Sequence, residues 1–160
     1  MVEHFESPVG EQVVNLGTAR LTDESAASKW RVWEDLWSVP LGRSQRVEGG
    51  LVFSISPGEW IVVGGPPPAG AVDLTHVRAM FRLSGSGARN VLEHVCAIDL
   101  SDPITPDRAA ARTLVAGVAT ELVRDDTQGE PSYLLLMSRS FAMHIWDRLV
   151  AIGSLECPKA

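Results

Sequence analysis

A chain of 160 residues suffices for one ordinary domain with a sizeable core and is too short for two large ones. With 45% hydrophobic and 21% charged residues it is neither disordered nor fibrous in composition, and a net charge of -6 argues against a nucleic-acid partner, since phosphate binding needs clustered Lys and Arg. No apolar run reaches membrane-span length, and Met1-Val2-Glu3-His4-Phe5-Glu6 lacks the basic start and apolar core of a signal peptide, so the expectation is a cytoplasmic protein with no membrane.

Residues 1 to about 10 carry no periodicity and read as a loose arm. Glu11 to Leu21, with Val13, Val14 and Leu16, reads as a first strand. Asp23 or Ser25 is placed to cap a helix running to about Trp37, with Ala26, Trp30, Trp33 and Trp37 at helical spacing, ended by Pro40 and Gly42. Gly49-Gly50 open a strand through Leu51, Phe53 and Ile55, Ser56-Pro57-Gly58 turn it, and Trp60 to Val63 return. Residues 11–63 therefore read as a β-α-β-β half. Gly64-Gly65-Pro66-Pro67-Pro68-Ala69-Gly70 holds the chain extended and forbids a helix, so 64–72 read as a linker.

The second half, 73–152, begins with a strand from His76 to Leu83 that alternates Val77, Ala79, Phe81 and Leu83 with Arg78, Met80 and Arg82. Gly85 and Gly87 give the freedom a strand-to-helix corner needs, and Ser84 or Ser86 is placed to cap the new helix. In that helix, from Gly87 to Val95, Ala88, Val91, Leu92 and Val95 form one stripe opposite Arg89, Asn90, Glu93 and His94. A loop from Ser101 to Asp107, a strand from Arg112 to Val123, a turn from Asp125 to Pro131 and a strand from Ser132 to Met137 come next. The last helix starts near Ser140 and carries Phe141, Ile145, Leu149 and Ile152 on one side. The order β-α-β-β-α is that of a split βαβ plait. The expected fold is a single α+β domain over 1–160, two ferredoxin-like halves with mainly antiparallel sheet and helices on one side of each.

No catalytic constellation emerges. Ser84-Gly85-Ser86-Gly87 lacks the Lys and Ser/Thr of a P-loop and the third glycine of a dinucleotide fingerprint, so it reads as a cap and turn. His94, Cys96 and Asp99 are ligand types, but an HxC pair without a second pair is not a zinc pattern, and His94 and Cys96 point apart on a helix. Gly85-Ser86-Gly87 falls short of a nucleophile elbow, and His144 reads as a surface or interface residue. Cys96 and Cys157 are too few for a disulfide framework, and Cys96, between Val95 and Ala97, reads as a small buried apolar residue. Arg78, Arg82 and Arg89 mark either an anion-tolerant surface or, more commonly, a solvated sheet edge and helix face. Five tryptophans, Trp30, Trp33, Trp37, Trp60 and Trp146, read as a stacking platform for a pterin or flavin, as a protein interface, or as ordinary core packing, which is as good a reading for Trp60; the stripe of Trp30, Trp33 and Trp37 carries more apolar area than a small sheet buries and is expected to face a partner chain in part. No residue is assigned a catalytic, cofactor-binding or metal-binding role.

Three segments carry a family resemblance. FRLSGSGARNVLEHVCAIDL (Phe81 to Leu100), ISPGEWIVVG (Ile55 to Gly64) and SRSFAMHIWDRL (Ser138 to Leu149) resemble, in order, segments of the gamma subunit of heterotetrameric sarcosine oxidase, shared more loosely with folate-dependent aminomethyltransferases. The resemblance covers roughly Leu36 to Leu149 and implies a folate-domain-like fold. It implies a non-catalytic assembly subunit in an oxidative N-demethylase complex of one-carbon metabolism and sarcosine catabolism. That complex is implied to use FAD, FMN, NAD and tetrahydrofolate, with a zinc site on the delta subunit and no cofactor on this chain. The alternative is a free-standing module for folate or another planar ligand, for which Glu59, Asp73 and Asp99 are the available carboxylates.

Overall fold

The computed structural model describes residues 5–10 and 12–156. The chain runs β1 (Val13–Leu16), β2 (Ala19–Asp23), β3 (Lys29–Val32), β4 (Arg43–Val47), β5 (Gly50–Ser56), β6 (Glu59–Gly64), β7 (Val72–Asp73), β8 (Arg78–Ser84), α1 (Ala88–Glu93), β9 (Ala110–Val115), β10 (Val118–Arg124) and β11 (Ser132–Ser138). A 3-10 turn, Arg139–Phe141, then leads into α2 (Ala142–Glu156). Two antiparallel sheets result, a six-stranded one in the order β1-β2-β8-β11-β10-β9 and a five-stranded one in the order β4-β5-β6-β3-β7. The fold is α+β with mostly antiparallel sheet.

Alternation along the strands stacks these elements in layers. In β8, Ala79, Phe81 and Leu83 face the helices, where Ala88, Val91 and Leu92 of α1 and Ile145, Trp146 and Leu149 of α2 meet them. Met80, between them, points the other way and packs with Leu51, Phe53, Ile61 and Val63 of the five-stranded sheet. β11 is buried from Ser132 to Met137 because both its faces are covered, Leu135 toward the helices and Leu134 and Leu136 toward the second sheet. Phe81 meets the Trp146 ring edge-on at 5.1 Å.

Several expectations need correction. The helix expected from Asp23 or Ser25 to Trp37 is absent: Asp23 accepts the Ser25 N–H in a turn, and β3 follows. β3 pairs with β6 from Lys29 opposite Val63 to Val32 opposite Trp60, and the gain from completing a buried sheet overrides the helical spacing of the tryptophans. β1 and β2 split the expected first strand and join the sheet of the later strands through β2, which pairs with β8. The strand expected from Arg112 to Val123 is the β9–β10 hairpin, turned at Ala116 and Gly117. β4 was not foreseen, and the proline segment connects β6 to β7 within one sheet. The arm is anchored where it is described, since Val9 is buried and Ser7 Oγ donates to Asp23. Glu11 and Cys157 lie outside the described residues.

The glycine corner has a packing cause. A Cβ on Gly85 would lie 2.3 Å from the Thr18 carbonyl oxygen, and one on Gly87 would lie 2.4 Å from Thr18 Oγ1, so the β1–β2 turn packs directly on the β8–α1 corner. Gly87 itself occupies the N-cap with no side-chain cap bond, so neither Ser84 nor Ser86 has the capping role expected of it.

Candidate functional site

Charged side chains converge first between the sheets. Asp125 follows β10, and its carboxylate, only 6% exposed, accepts from Arg46 of β4, Arg82 of β8 and Arg108 of the preceding loop. Arg82 also donates to Glu24 and Ser132, and Arg124 donates to Asp102, Asp126 and the Thr105 carbonyl. Asp126, followed by Asp102, holds the Arg124 guanidinium above its ordinary pKa, against the opposing effect of its burial. On the same sheet Glu121, nearly inaccessible, pairs with Arg78 and Arg112. Arg78 and Arg82 are thus mostly enclosed and pair with the buried carboxylates of Glu121 and Asp125. Arg89 is the exception, pairing with Glu93 along the exposed face of α1. These clusters tie elements of both sheets together.

The other named residues are also engaged locally. His94 Nδ1 lies 2.7 Å from the Asn90 carbonyl oxygen, and His144 Nε2 lies 3.0 Å from that of Ala116. Cys96 is half-buried and bridges to Val115, less enclosed than expected, and burial raises its thiol pKa. Among the described residues no group of three His, Cys, Asp or Glu side chains is arranged to hold a metal ion. Glu59 lies 3.1 Å from Arg31, while the Thr75 hydroxyl and N–H hold Asp73, and the Ser101 N–H and hydroxyl hold Asp99, below the ordinary carboxylate pKa.

The outer face of the five-stranded sheet is different. Trp30 and Val32 of β3, Trp60 and Val62 of β6 and Val52 of β5 form an apolar layer that no helix covers. The excursion between β3 and β4 folds back over it, seating Val39 and Trp37 on the layer. Two bonds shape this excursion: Asp35 accepts the N–H groups of Trp37 and Ser38, and Trp60 Nε1 donates to the Val39 carbonyl at 3.0 Å. Covering the sheet in this way leaves the loop's other side bare, with Trp33 57%, Leu36 45% and Leu41 57% exposed. The three tryptophans predicted to share one helical stripe therefore divide. Trp30 and Trp37 are half-buried against the sheet, and Trp33 faces outward from a loop. Trp37, Val47, Val62 and Pro66-Pro67-Pro68 are among the residues lining a groove of about 310 Å³.

Sequence reasoning passed over Leu36 and Leu41 here, and Lys29 and Asp125 inside. Trp33 and Trp37 carried a signal because tryptophan is rare; the others acquire their settings from residues remote in sequence.

No protein-family profile and no curated protein sequence matches the chain. Solved structures do. A chain of heterotetrameric sarcosine oxidase from Corynebacterium sp. U-96, in complex with pyrrole 2-carboxylate, aligns with a TM-score of 0.80 at 18% identity, covering 98% of both chains. Glycine cleavage system aminomethyltransferase T from Bartonella henselae aligns with a TM-score of 0.60 at 12% identity, over 81% of this chain and 45% of that one. The first likeness spans the N-terminal strands as well, beyond the stretch in which the sequence resemblance is visible. The chain therefore has the fold of a chain of heterotetrameric sarcosine oxidase, a fold that also forms part of aminomethyltransferase T.

Proposed function

We propose that this chain is a non-catalytic assembly subunit of a sarcosine-oxidase-like complex that oxidatively N-demethylates sarcosine or a related methylamine in the cytoplasm. The observation that carries this reading is the likeness to a chain of a heterotetrameric oxidase over 98% of both chains. The exposed Trp33, Leu36 and Leu41 supply a surface of the composition that interfaces favour. In this reading FAD, FMN, NAD and tetrahydrofolate are held by other subunits, and this chain contributes contacts. Co-expression with the products of adjoining genes tests it: flavin-bearing subunits are expected to co-purify, while the chain alone is colourless and does not oxidise sarcosine. Stoichiometric flavin retained by the isolated chain after dialysis would overturn it.

The likeness to aminomethyltransferase T favours a second reading, a module that binds folate or another planar ligand. Against it, Glu59 already pairs with Arg31, and Asp73 and Asp99 are occupied by their own turns. Titration with tetrahydrofolate, followed by tryptophan fluorescence, separates the two readings, and saturable quenching by the isolated chain would favour the second.

A further inference from the structure

We propose that a cleft between the two sheets binds a small organic carboxylate with a short apolar body, held by Arg46 and Arg82. This inference concerns the chain by itself and goes beyond the subunit reading above. The cleft measures about 310 Å³, and Arg46, Arg82, Asp125, Leu51, Val63 and Leu134 are among the residues lining it. Strand register places these side chains. Arg46 lies across from Leu51, Leu51 across from Val63, and Arg82 across from Leu134, and directly opposed residues of neighbouring strands share a face of their sheet. Leu51, Val63 and Leu134 belong to one buried cluster between the sheets. Arg46 and Arg82 therefore project from the two sheets toward each other. Their guanidiniums meet on opposite oxygens of the Asp125 carboxylate, at 3.0 and 3.2 Å.

The balance of donors and acceptors selects the ligand. Asp125 Oδ1 accepts from Arg46 and Arg108, and Oδ2 accepts from Arg82, so both oxygens are already engaged. Arg82 also donates through Nε to Glu24 and through Nη1 to Ser132, and Arg46 Nη2 reaches the Asp126 carbonyl. Asp107 offsets Arg108 at 3.8 Å. Among the described residues nothing accepts a hydrogen bond from Arg46 Nη1 or Arg82 Nη2, and the two side chains are 52% and 21% exposed. Spare charged donors therefore stand beside a carboxylate with little left to accept. An ionised carboxylate, which only accepts, fits that balance, whereas an ammonium meets oxygens already taken. The apolar surface of Leu51, Val63 and Leu134 favours an acid with an alkyl body over inorganic phosphate. The bonds to Glu24, Ser132 and Asp125 hold Arg82 in place before anything binds, which lowers the ordering cost of binding.

The test uses the full, isotope-labelled chain and four probes at constant ionic strength: butyrate, acetate, inorganic phosphate and n-butylammonium. In nuclear magnetic resonance titrations butyrate is expected to shift the Arg46 and Arg82 Nε–H signals saturably. Acetate, shorter by two methylenes, is expected to bind on the order of tenfold more weakly, phosphate more weakly than butyrate, and n-butylammonium to leave these signals in place. Arg46→Lys keeps a cation beside Asp125 but loses the planar fork, and is expected to weaken butyrate on the order of tenfold with an unchanged circular dichroism spectrum. No saturation by about 50 mM, butyrate no tighter than acetate or phosphate, an equal response to n-butylammonium, or undiminished affinity in Arg46→Lys overturns the proposal. No partner subunit takes part in these measurements, so failure here leaves the co-purification test of the subunit reading untouched.

Discussion

Lys29 carries its amine into the interior of the protein, fully buried, where Nζ donates to the carbonyl oxygens of Ser25 and Ala27, each at 2.7 Å. No carboxylate pairs with it directly, and burial lowers its pKa to about 8, with Asp23 and Asp73 opposing that effect from a distance. The sign of the consequence comes from proton counting. Between pH 8 and the unfolded value of 10.5 the unfolded chain holds more protons than the folded one, so folding stability rises with pH across that window. The rise is on the order of 3 kcal/mol. Cys96, whose thiol pKa is raised by burial, acts in the opposite direction in alkaline solution, so the measurement belongs in a Cys96→Ala background. Urea midpoints recorded from pH 7 to 10 are expected to climb there and to stay flat when Lys29→Met is added. The single tyrosine, Tyr133, has a pKa raised by burial and so opposes the rise only as pH approaches its unfolded value of about 10, where the series ends. Nothing in the residues around Lys29 announces a buried amine. The local sequence reads as a helix, and the enclosure comes from β6, β7 and Thr75, which lie far along the chain.

At the scale of elements, α1 is the part most readable in advance. Its stripe of Ala88, Val91 and Leu92 is buried as the spacing requires, and Val95 beyond it packs in part. Leu92→Ala is expected to cost about 2–5 kcal/mol in chemical denaturation, and Glu93→Ala on the exposed face less than about 0.5 kcal/mol. Equal effects at the two positions would show the helix face to be misassigned. The corner before the helix separates two kinds of glycine. Gly85 has φ +104 and faces a backbone carbonyl, so Gly85→Ala is expected to destabilise by at least about 2 kcal/mol whatever residue occupies position 18. Gly87 has an ordinary φ of -88, and a Cβ there would crowd the Thr18 hydroxyl while meeting backbone atoms no nearer than 3.4 Å, so the cost of Gly87→Ala is expected to fall in a Thr18→Ala background. A double-mutant cycle measured by thermal melting distinguishes these cases.

At the scale of the whole molecule, Asp125 joins what the chain order keeps apart. Its three arginines come from the edge of the five-stranded sheet, the centre of the six-stranded sheet and the loop before β9. Asp125→Asn leaves three guanidiniums without their shared carboxylate and is expected to cost about 3–5 kcal/mol of stability. Trp33→Ala alters the exposed side of the loop between β3 and β4. It is expected to leave the urea midpoint nearly unchanged and to weaken co-purification of partner subunits by about 2 kcal/mol or more if Trp33 sits at the centre of the contact. A large loss of fold stability with undiminished co-purification would place Trp33 in the core instead.

Periodicity alone determined the elements whose burial is written locally. The helices at Leu92 and Leu149 obey it, because a 3.6-residue repeat reports which side of a helix meets the core, whereas the strands around Phe53, Ile61, Phe81 and Leu135 are covered on both faces and read as strands from short apolar runs bounded by turns. The glycine corner and the proline break are equally local. Whether Trp30 belongs to a helix or a strand was decided by Val62 of β6, its partner across the sheet, which no window around Trp30 contains. The same holds for the hairpin at Ala116-Gly117, for the joining of β1 and β2 to β8, and for the arginines gathered on Asp125. The surplus of tryptophan was legible as a reason to expect a partner-facing surface. That Trp33, Leu36 and Leu41 are exposed together in one loop depends on that loop folding back over a sheet. Such placements arise from contacts between segments remote in sequence, and only the tertiary structure decides them.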